Sequence, residues 1–598
     1  MGNGLGERTT PGVPLTYDKT VPSLGGSEPH AGGWLPSLAI VTVAVVAFHW
    51  PLLVNDGLYF EDFFLYDWFI DGRKDTFFGH FGMYGHLIPA YLMWPLSQLP
   101  NSIFFFKFTA FIFLLIASLA TFGVLAKLGY FSRAQAALLA ILAVVYPGHL
   151  TTAHINLVFH FICYAAFWTA ALVVLESESK VRFLRVLYRM AAGFLFFLSF
   201  GLNSLLVFHF GFLAVLLLRS HSARNDLLPQ TVRSFIAEYW DLIAIPFIFW
   251  IWRQVIVSPY GVGLAHTPIH IDLYQVFRIY LSAARLVITQ IFAVGLYSLT
   301  FLFVFVALFF MLKKSGKLLT AVWSSASPNP FWILCFALLL IFLGVFPYAV
   351  TDRGLGRWDS DGSARNRILI MLPMALFLLS ALAILLRKWP RIYIATLVAL
   401  ICSFGMYRLS VYETWQAEAI KNHSILTNLK QLPGVGDIHV FGVRDLVVEG
   451  FDRVRLPHGY SSMFLHPDNA FKLALGDFSR FVFYESASSD KAQEGPWYSK
   501  TDAQVLNPVF FPNFHITQFP VFIPNSFEPC GRQAALIISH GPGFQTNQMV
   551  FTYYYYKFFE PEKLREYVMS LTSLDLVPRK APSSCASNEL QTERHSSL

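Results

Sequence analysis

Cysteine and charge are both scarce in this chain. Five cysteines are spread over 598 residues, too few for a disulfide-stapled scaffold. Only 14% of residues are charged, where a soluble protein of this size carries about a quarter. No His-Glu-x2-His pattern occurs, so that sequence signature of a catalytic zinc site is missing. No internal repeat with a period of about 20–50 residues is found, which excludes a solenoid or propeller. The net charge of +7 is modest and carries no indication of nucleic-acid binding. What is present is hydrophobic: 55% of the residues, with 60 phenylalanines. That composition describes a polytopic α-helical membrane protein.

Apolar runs of about 17–25 residues qualify as membrane helices. About eleven transmembrane helices are expected, at 34–54, 102–126, 134–150, 155–175, 187–202, 204–218, 239–257, 291–312, 331–350, 368–386 and 392–408. Residues 1–33 are rich in Gly, Pro, Ser and Thr, and read as a disordered cytoplasmic leader rather than a cleavable signal. The transmembrane domain is expected over 34–408, with a long first outer loop at 55–101.

Basic residues orient the spans. With a cytoplasmic N-terminus the inner loops hold Lys127 and Arg133; Lys180, Arg182, Arg185 and Arg189; Arg219, Arg224 and Arg233; Lys313, Lys314 and Lys317; and Arg387, Lys388 and Arg391. Outer loops carry Asp56, Glu61, Asp62, Asp67 and Asp71 instead. The asymmetry follows the positive-inside rule, and puts the C-terminal part outside the cytoplasm. This parity depends on splitting the chain at Gly201-Leu-Asn-Ser204. The single Asn-x-Ser sequon, Asn422-His-Ser424, favours a bacterial inner membrane over a glycosylating compartment.

After Arg408 the chain mixes charge with turn residues and short β-like runs, at Asp437–Val443, Arg480–Glu485, Ala534–His540 and Gln548–Tyr556. Amphipathic helices are expected near 411–432 and 560–571. Together these predict a small extracytoplasmic α/β domain over 409–574, followed by a disordered tail at 575–598. Cys530 and Cys585 are its only cysteines, so an oxidising compartment permits one disulfide.

Polar residues gather on the outer side. Glu61 and Asp62 lie among aromatics in Gly57-Leu-Tyr-Phe-Glu-Asp-Phe-Phe-Leu-Tyr-Asp67, just beyond the first span. Adjacent carboxylates at a membrane boundary are a candidate site, although they can also serve as solvated loop charges or face a helix N-terminus. His86, His149, His154, His160 and His209 fall on the same side, as do His266 and His270. Interfacial His and Tyr also act as belt anchors. The loop Thr351–Arg367 carries Arg353, Arg357, Arg365 and Arg367. Its arginines stand against the positive-inside trend, and their guanidinium forks match phosphate oxygens. Asp352, Asp359 and Asp361 offer the competing reading of a balanced solvated loop.

Three segments carry a resemblance. They are the acidic pair Glu61-Asp62, the run Gly82-Met-Tyr84-Gly-His86-Leu-Ile-Pro89 before the second span, and the break Gly201-Leu-Asn-Ser204. In layout, residues 34 to about 410 resemble the GT-C superfamily of membrane glycosyltransferases. Where many relatives have Lys or Glu after the Ser, this chain has Asn203-Ser204. The resemblance implies a polyprenyl-phosphate-linked sugar donor and a glycan, lipid or protein acceptor. It also implies a first-loop carboxylate acting as base or metal contact, which leaves a divalent cation open as cofactor. On that reading Asp62 or Glu61 is catalytic, with Asp62 favoured. Arg357, Arg365, Arg367, His86, Tyr84, His154 and His209 are then the substrate-binding candidates. The alternatives are a transporter or flippase for a lipid-linked glycan, or a non-catalytic membrane component of a polysaccharide assembly system. The absence of an inverted repeat counts against a transporter.

Overall fold

The computed structural model describes residues 34–59, 62–224, 228–257, 272–296, 298–314, 329–351, 362–438, 440–445, 481–484, 533–544 and 548–579. The N-terminal leader, Glu61, Arg357, His266, His270, Cys530, Cys585 and the tail beyond 579 lie outside them. Helices dominate. After α1 (Trp34–His49) and the single turn α2 (Pro51–Val54), the first loop folds into α3 (Asp62–Ile70), α4 (Lys74–Met83) and α5 (Leu87–Ser97). There follow α6 (Ser102–Leu128), α7 (Arg133–Val145), α8 (Val158–Ser177), α9 (Arg182–Ser199), α10 (Leu205–Arg224) and α11 (Leu228–Ile256). The membrane part closes with α12 (Leu273–Thr289), α13 (Leu299–Lys314), α14 (Pro330–Ala349), α15 (Met371–Leu385) and α16 (Pro390–Leu429).

Local chemistry sets several of these boundaries. Gly129 at φ 77° terminates α6, a left-handed position that costs glycine nothing. Ser132 and Gln135 then form a reciprocal capping box that starts α7. Asn329 caps α14, with Pro330 in its first turn, where proline's missing N–H costs nothing.

Among the described residues, eight helices are long and apolar enough to cross a membrane, and α1, α5, α7 and α13 are shorter apolar helices. The chain is therefore an integral membrane protein in character. Its core is α8, buried on nearly all sides and packed mainly between α6 and α9, with smaller contacts to α5 and α10; α11, α12 and α14 are mostly exposed. An apolar exposed surface of this kind faces lipid.

Two stretches differ from the expectation. The span expected at 291–312 is divided: Gln290–Leu296 is a π-helical turn, and α13 begins only at Leu299. Before it runs α12, which the count of apolar runs missed. Gln275, Arg278, Arg285 and Thr289 interrupt its hydrophobic sequence, leaving one apolar face instead of an apolar run.

The break expected at 408 is also absent, because α16 continues through 40 residues to Leu429. At 1.5 Å per residue it is about 60 Å long, twice the hydrocarbon thickness. Its second half leaves the membrane region and becomes the platform for the C-terminal domain. There β1 (Val440–Asp445), β2 (Phe481–Tyr484), β3 (Gln533–His540) and β4 (Thr572–Arg579) form a sheet of order β2-β1-β3-β4. The β1 strand is parallel to β2 and β3, and β4 is antiparallel to β3. Between β3 and β4 lie α17 (Met549–Phe559) and α18 (Pro561–Ser570).

The run Gln548–Tyr556, expected as a strand, is thus helical. Its aromatic content favours β structure, but Met549 and Tyr553 bury a face at helical spacing. The sheet also extends past 574, into residues expected as tail. Phe63, Ala417, Ile420, Ile425, Leu536, Ile538, Met549, Tyr553 and Val568 share one apolar cluster, so the domain packs on both α16 and the first loop.

Candidate functional site at the loop end of the bundle

The segment after α2 is organised by a buried cation. Lys107, in the first turns of α6, donates to Asn55 Oδ1 and, at 2.5 Å, to the Gly57 carbonyl. Its ammonium also sits 5.0 Å from the Tyr59 ring centroid. Asn55 closes the loop by accepting from the Tyr59 hydroxyl at 3.1 Å and from Gly57 N–H at 3.2 Å. Gly57 is required here on space alone, because a Cβ would collide with the Tyr59 hydroxyl and the Ala419 methyl on α16.

Asp62 follows three residues after Tyr59 and is fully buried. Its Oδ2 accepts the N–H groups of Tyr59 and Ile155, each at 3.1 Å, and its Oδ1 accepts that of Asn156 at 3.0 Å. Ile155 and Asn156 open the 3₁₀ turn Ile155–Leu157 that leads into α8. The carboxylate therefore caps α8 from a distance of more than 90 positions in sequence, where the helix dipole favours negative charge. Burial raises the Asp62 pKa; the N–H groups of Asn156 and Ile155, the Lys107 charge and the N–H of Tyr59 oppose that shift.

The turn between α7 and α8 is fastened from the other side by α16. Arg408 is fully buried and donates to three carbonyls: Val145 at 3.3 Å, His149 at 3.0 Å and Tyr146 at 2.8 Å. These lie at the C-terminal end of α7 and in the turn after it, where unpaired carbonyls need donors. One turn on, Tyr412 accepts from Thr152 and meets His49 Nδ1, both at 2.8 Å. Trp415 Nε1 donates to Leu150 O at 3.1 Å. Residues 408, 412 and 415 share one helix face, so a single stripe of α16 holds the whole turn. Gln290 adds to it, donating to Pro147 O at 2.7 Å and accepting from Tyr146 at 2.5 Å.

The expected site residues divide into groups. His154 joins the Asp62 group, with its ring 5.4 Å from Tyr59 and 4.7 Å from Trp415. Arg367 is fully buried and Arg365 partly so. His149 lies 3.5 Å from His160 across their ring nitrogens, and His160 is within electrostatic reach of His149, Arg365 and His86. Burial, then Arg408, His154 and Arg367, hold the His149 pKa well below the usual imidazole value, so its ring is neutral at physiological pH. Tyr84 is half-buried against His80. His209 belongs elsewhere: it meets Leu242 O at 3.0 Å and packs between Phe196 and Phe200. That environment describes a packing histidine of α9–α11. Glu61 and Arg357 lie outside the described residues.

Lys107 and Arg408 hold this end of the bundle together and were overlooked, although the signal was available. A charge inside an apolar run is a site by default. Asp56 was seen only as an outer acidic residue. It accepts from Lys557 at 2.7 Å and Tyr553 at 2.9 Å, joining the first loop to α17.

No family model, curated protein or solved structure matches this chain. Among the described residues no group of three or more His, Cys, Asp or Glu side chains could hold a metal ion. The donor set at Asp62 does not fit a cation: three N–H groups occupy its oxygens and Lys107 supplies the local positive charge.

Proposed function

We propose that the chain is a membrane glycosyltransferase that moves a sugar from a polyprenyl-phosphate-linked donor to a glycan, lipid or protein acceptor of the cell envelope. The reaction takes place at the end of the bundle that carries the first loop and the C-terminal domain. The basic loops put that end outside the cytoplasm of a bacterial inner membrane, with the N-terminus inside. One observation carries the reading: the first-loop carboxylate and the arginine-bearing turn Gly362–Ile370 meet the same α7–α8 turn. Asp62 binds its Ile155 and Asn156 end. At its other end the Arg367 carbonyl would lie 3.2 Å from a Cβ on Gly148.

The chemistry needs a carboxylate to take the proton of an acceptor hydroxyl and cationic donors for the departing phosphate. Arg365 and Arg367, with His86 and His160 close by, supply the donors. Three backbone N–H groups hold both oxygens of Asp62, so it acts as a positioning residue, and the base is its sequence neighbour Glu61. This revises the assignment that favoured Asp62.

The test is transfer of labelled sugar from polyprenyl-linked donors in isolated membranes. Glu61→Gln is expected to lower the rate by about 10²–10⁴, the usual contribution of a positioned base, at unchanged protein level. Asp62→Asn is expected to lower the amount of folded protein as well as the rate. A Glu61→Gln variant that transfers at the wild-type rate removes the base from the mechanism.

A further inference from the structure

Helix α17 has two faces of different character. Met549 and Tyr553 point inward to the domain core. Phe551, Tyr555, Phe558 and Phe559 point outward, with Phe551 and Phe559 76% and 75% exposed. Spaced at i, i+4, i+7 and i+8, these four rings lie on one side of the helix, opposite the buried residues. A helix that met only water would carry polar side chains there, and a concentrated exposed aromatic face marks an interaction surface.

The position of α17 identifies the occupant. Lys557 reaches the Val54 carbonyl at 3.4 Å and the Asp56 carboxylate at 2.7 Å, and Tyr553 bonds Asp56 at 2.9 Å. Val54 ends the turn that closes the first apolar span, so it marks the edge of the hydrocarbon layer. The exposed stripe of α1, including Ile40, Val43 and Val46, rises toward this point and ends in the exposed Trp50, the residue type that collects at the headgroup level. Helix α17 is therefore pinned at headgroup depth beside a lipid-facing helix, with four aromatics unburied by the domain.

We infer that α17 is an interfacial helix whose Phe551–Tyr555–Phe558–Phe559 face inserts into the headgroup and upper acyl region of the same bilayer that the bundle spans. The C-terminal domain then has two attachments to the membrane part: polar contacts to Asp56 and an aromatic keel in the lipid. The inference is independent of the reaction proposed above.

The experiment uses the full chain in vesicles of phosphatidylethanolamine and phosphatidylglycerol, doped with a phospholipid carrying a photoactivatable acyl chain. Lipid adducts are mapped by mass spectrometry. Adducts are expected on the peptide containing 549–559 at a yield comparable to that on the 34–50 peptide. The variant Phe551→Ser, Phe558→Ser, Phe559→Ser should lose the first several-fold and keep the second; if it does not accumulate, Phe559→Ser alone should show a smaller loss in the same direction. Labelling of 34–50 with none on 549–559 overturns the inference. So does a chemical cross-link that joins this face to residues 446–532 or to a second copy of the chain.

Discussion

Lys107 is a buried cation that serves mainly neutral oxygens, those of Asn55 and Gly57, with the Asp62 and Asp56 charges in range. Replacing it with Met would keep most of its volume, orphan the Gly57 carbonyl and leave Asp62 without compensating charge. The expected cost is about 3 kcal/mol, read as a lower unfolding temperature of the solubilised protein.

Asp56 presents a milder case. Burial would raise its pKa, but the Lys557 charge, hydrogen bonds from Lys557 and Tyr553, and Lys107 override this and the net shift is downward. A depressed carboxylate stabilises the fold above its unfolded pKa of about 4, and the contribution is lost as pH falls through the folded value. Its side chain is 44% exposed, so solvent screening limits the ion pair to at most about 1 kcal/mol. Asp56→Asn should thus speed proteolysis between α16 and α18 at neutral pH while leaving the membrane helices intact. It should also remove the part of that protection that wild type loses on acidification.

Among the elements, α16 has the most to explain. The sequence showed its membrane half clearly and ended it at 408, because polar residues begin there. Helix continuity follows a different signal: after Gly405 there is neither Gly nor Pro until Pro433, so nothing stops the helix once it clears the lipid. Arg408 then looks like a charge at a span end, whereas three carbonyls at the end of α7 and in the turn after it make it a tertiary cap. Arg408→Lys is expected to destabilise by about 3 kcal/mol, since a single ammonium cannot replace a fork bonded to three separated acceptors. Gly405 marks the close approach of α16 to α1, where a Cβ would collide with the Phe48 ring. Gly405→Ala should cost about 1–3 kcal/mol from overpacking, measurable by the same thermal unfolding. Helix α17 was misread for a related reason. A run of Phe and Tyr satisfies strand propensity, and only the placement of Met549 and Tyr553 against Ile538 and Val568 decides for a helix.

At the scale of the molecule, composition alone established a helical membrane protein, and the acidic residue after the first span lies at the end of the bundle where Asp62, Lys107 and Arg408 are buried. What could not be read was convergence: Asp62 on Ile155, Arg408 on Tyr146, and Lys557 on Asp56 join positions tens to hundreds of residues apart, and no local pattern encodes such pairs. These contacts bear on topology. Contacts link the end of α2 to α17, α17 to the upper half of α16, and α16 to the α7–α8 turn, so these segments occupy one side of the membrane. The number of crossings between Val54 and Arg408 is therefore even, whichever way the chain is oriented. Helix α12 adds a candidate span to the expected set, so parity requires that α12 or one of the other apolar helices begin and end on the same side. Its C-terminal Gln290 meets Pro147 on the loop side, and its exposed, one-faced sequence suits a helix lying along the interface. A cysteine-accessibility reporter at Asp272 should therefore react on the same side as one at Asp71, and a reporter fused after Arg579 should report that side too. A reporter at Asp272 on the opposite side, with Arg579 unchanged, would make α12 a full crossing and move the exception to another helix.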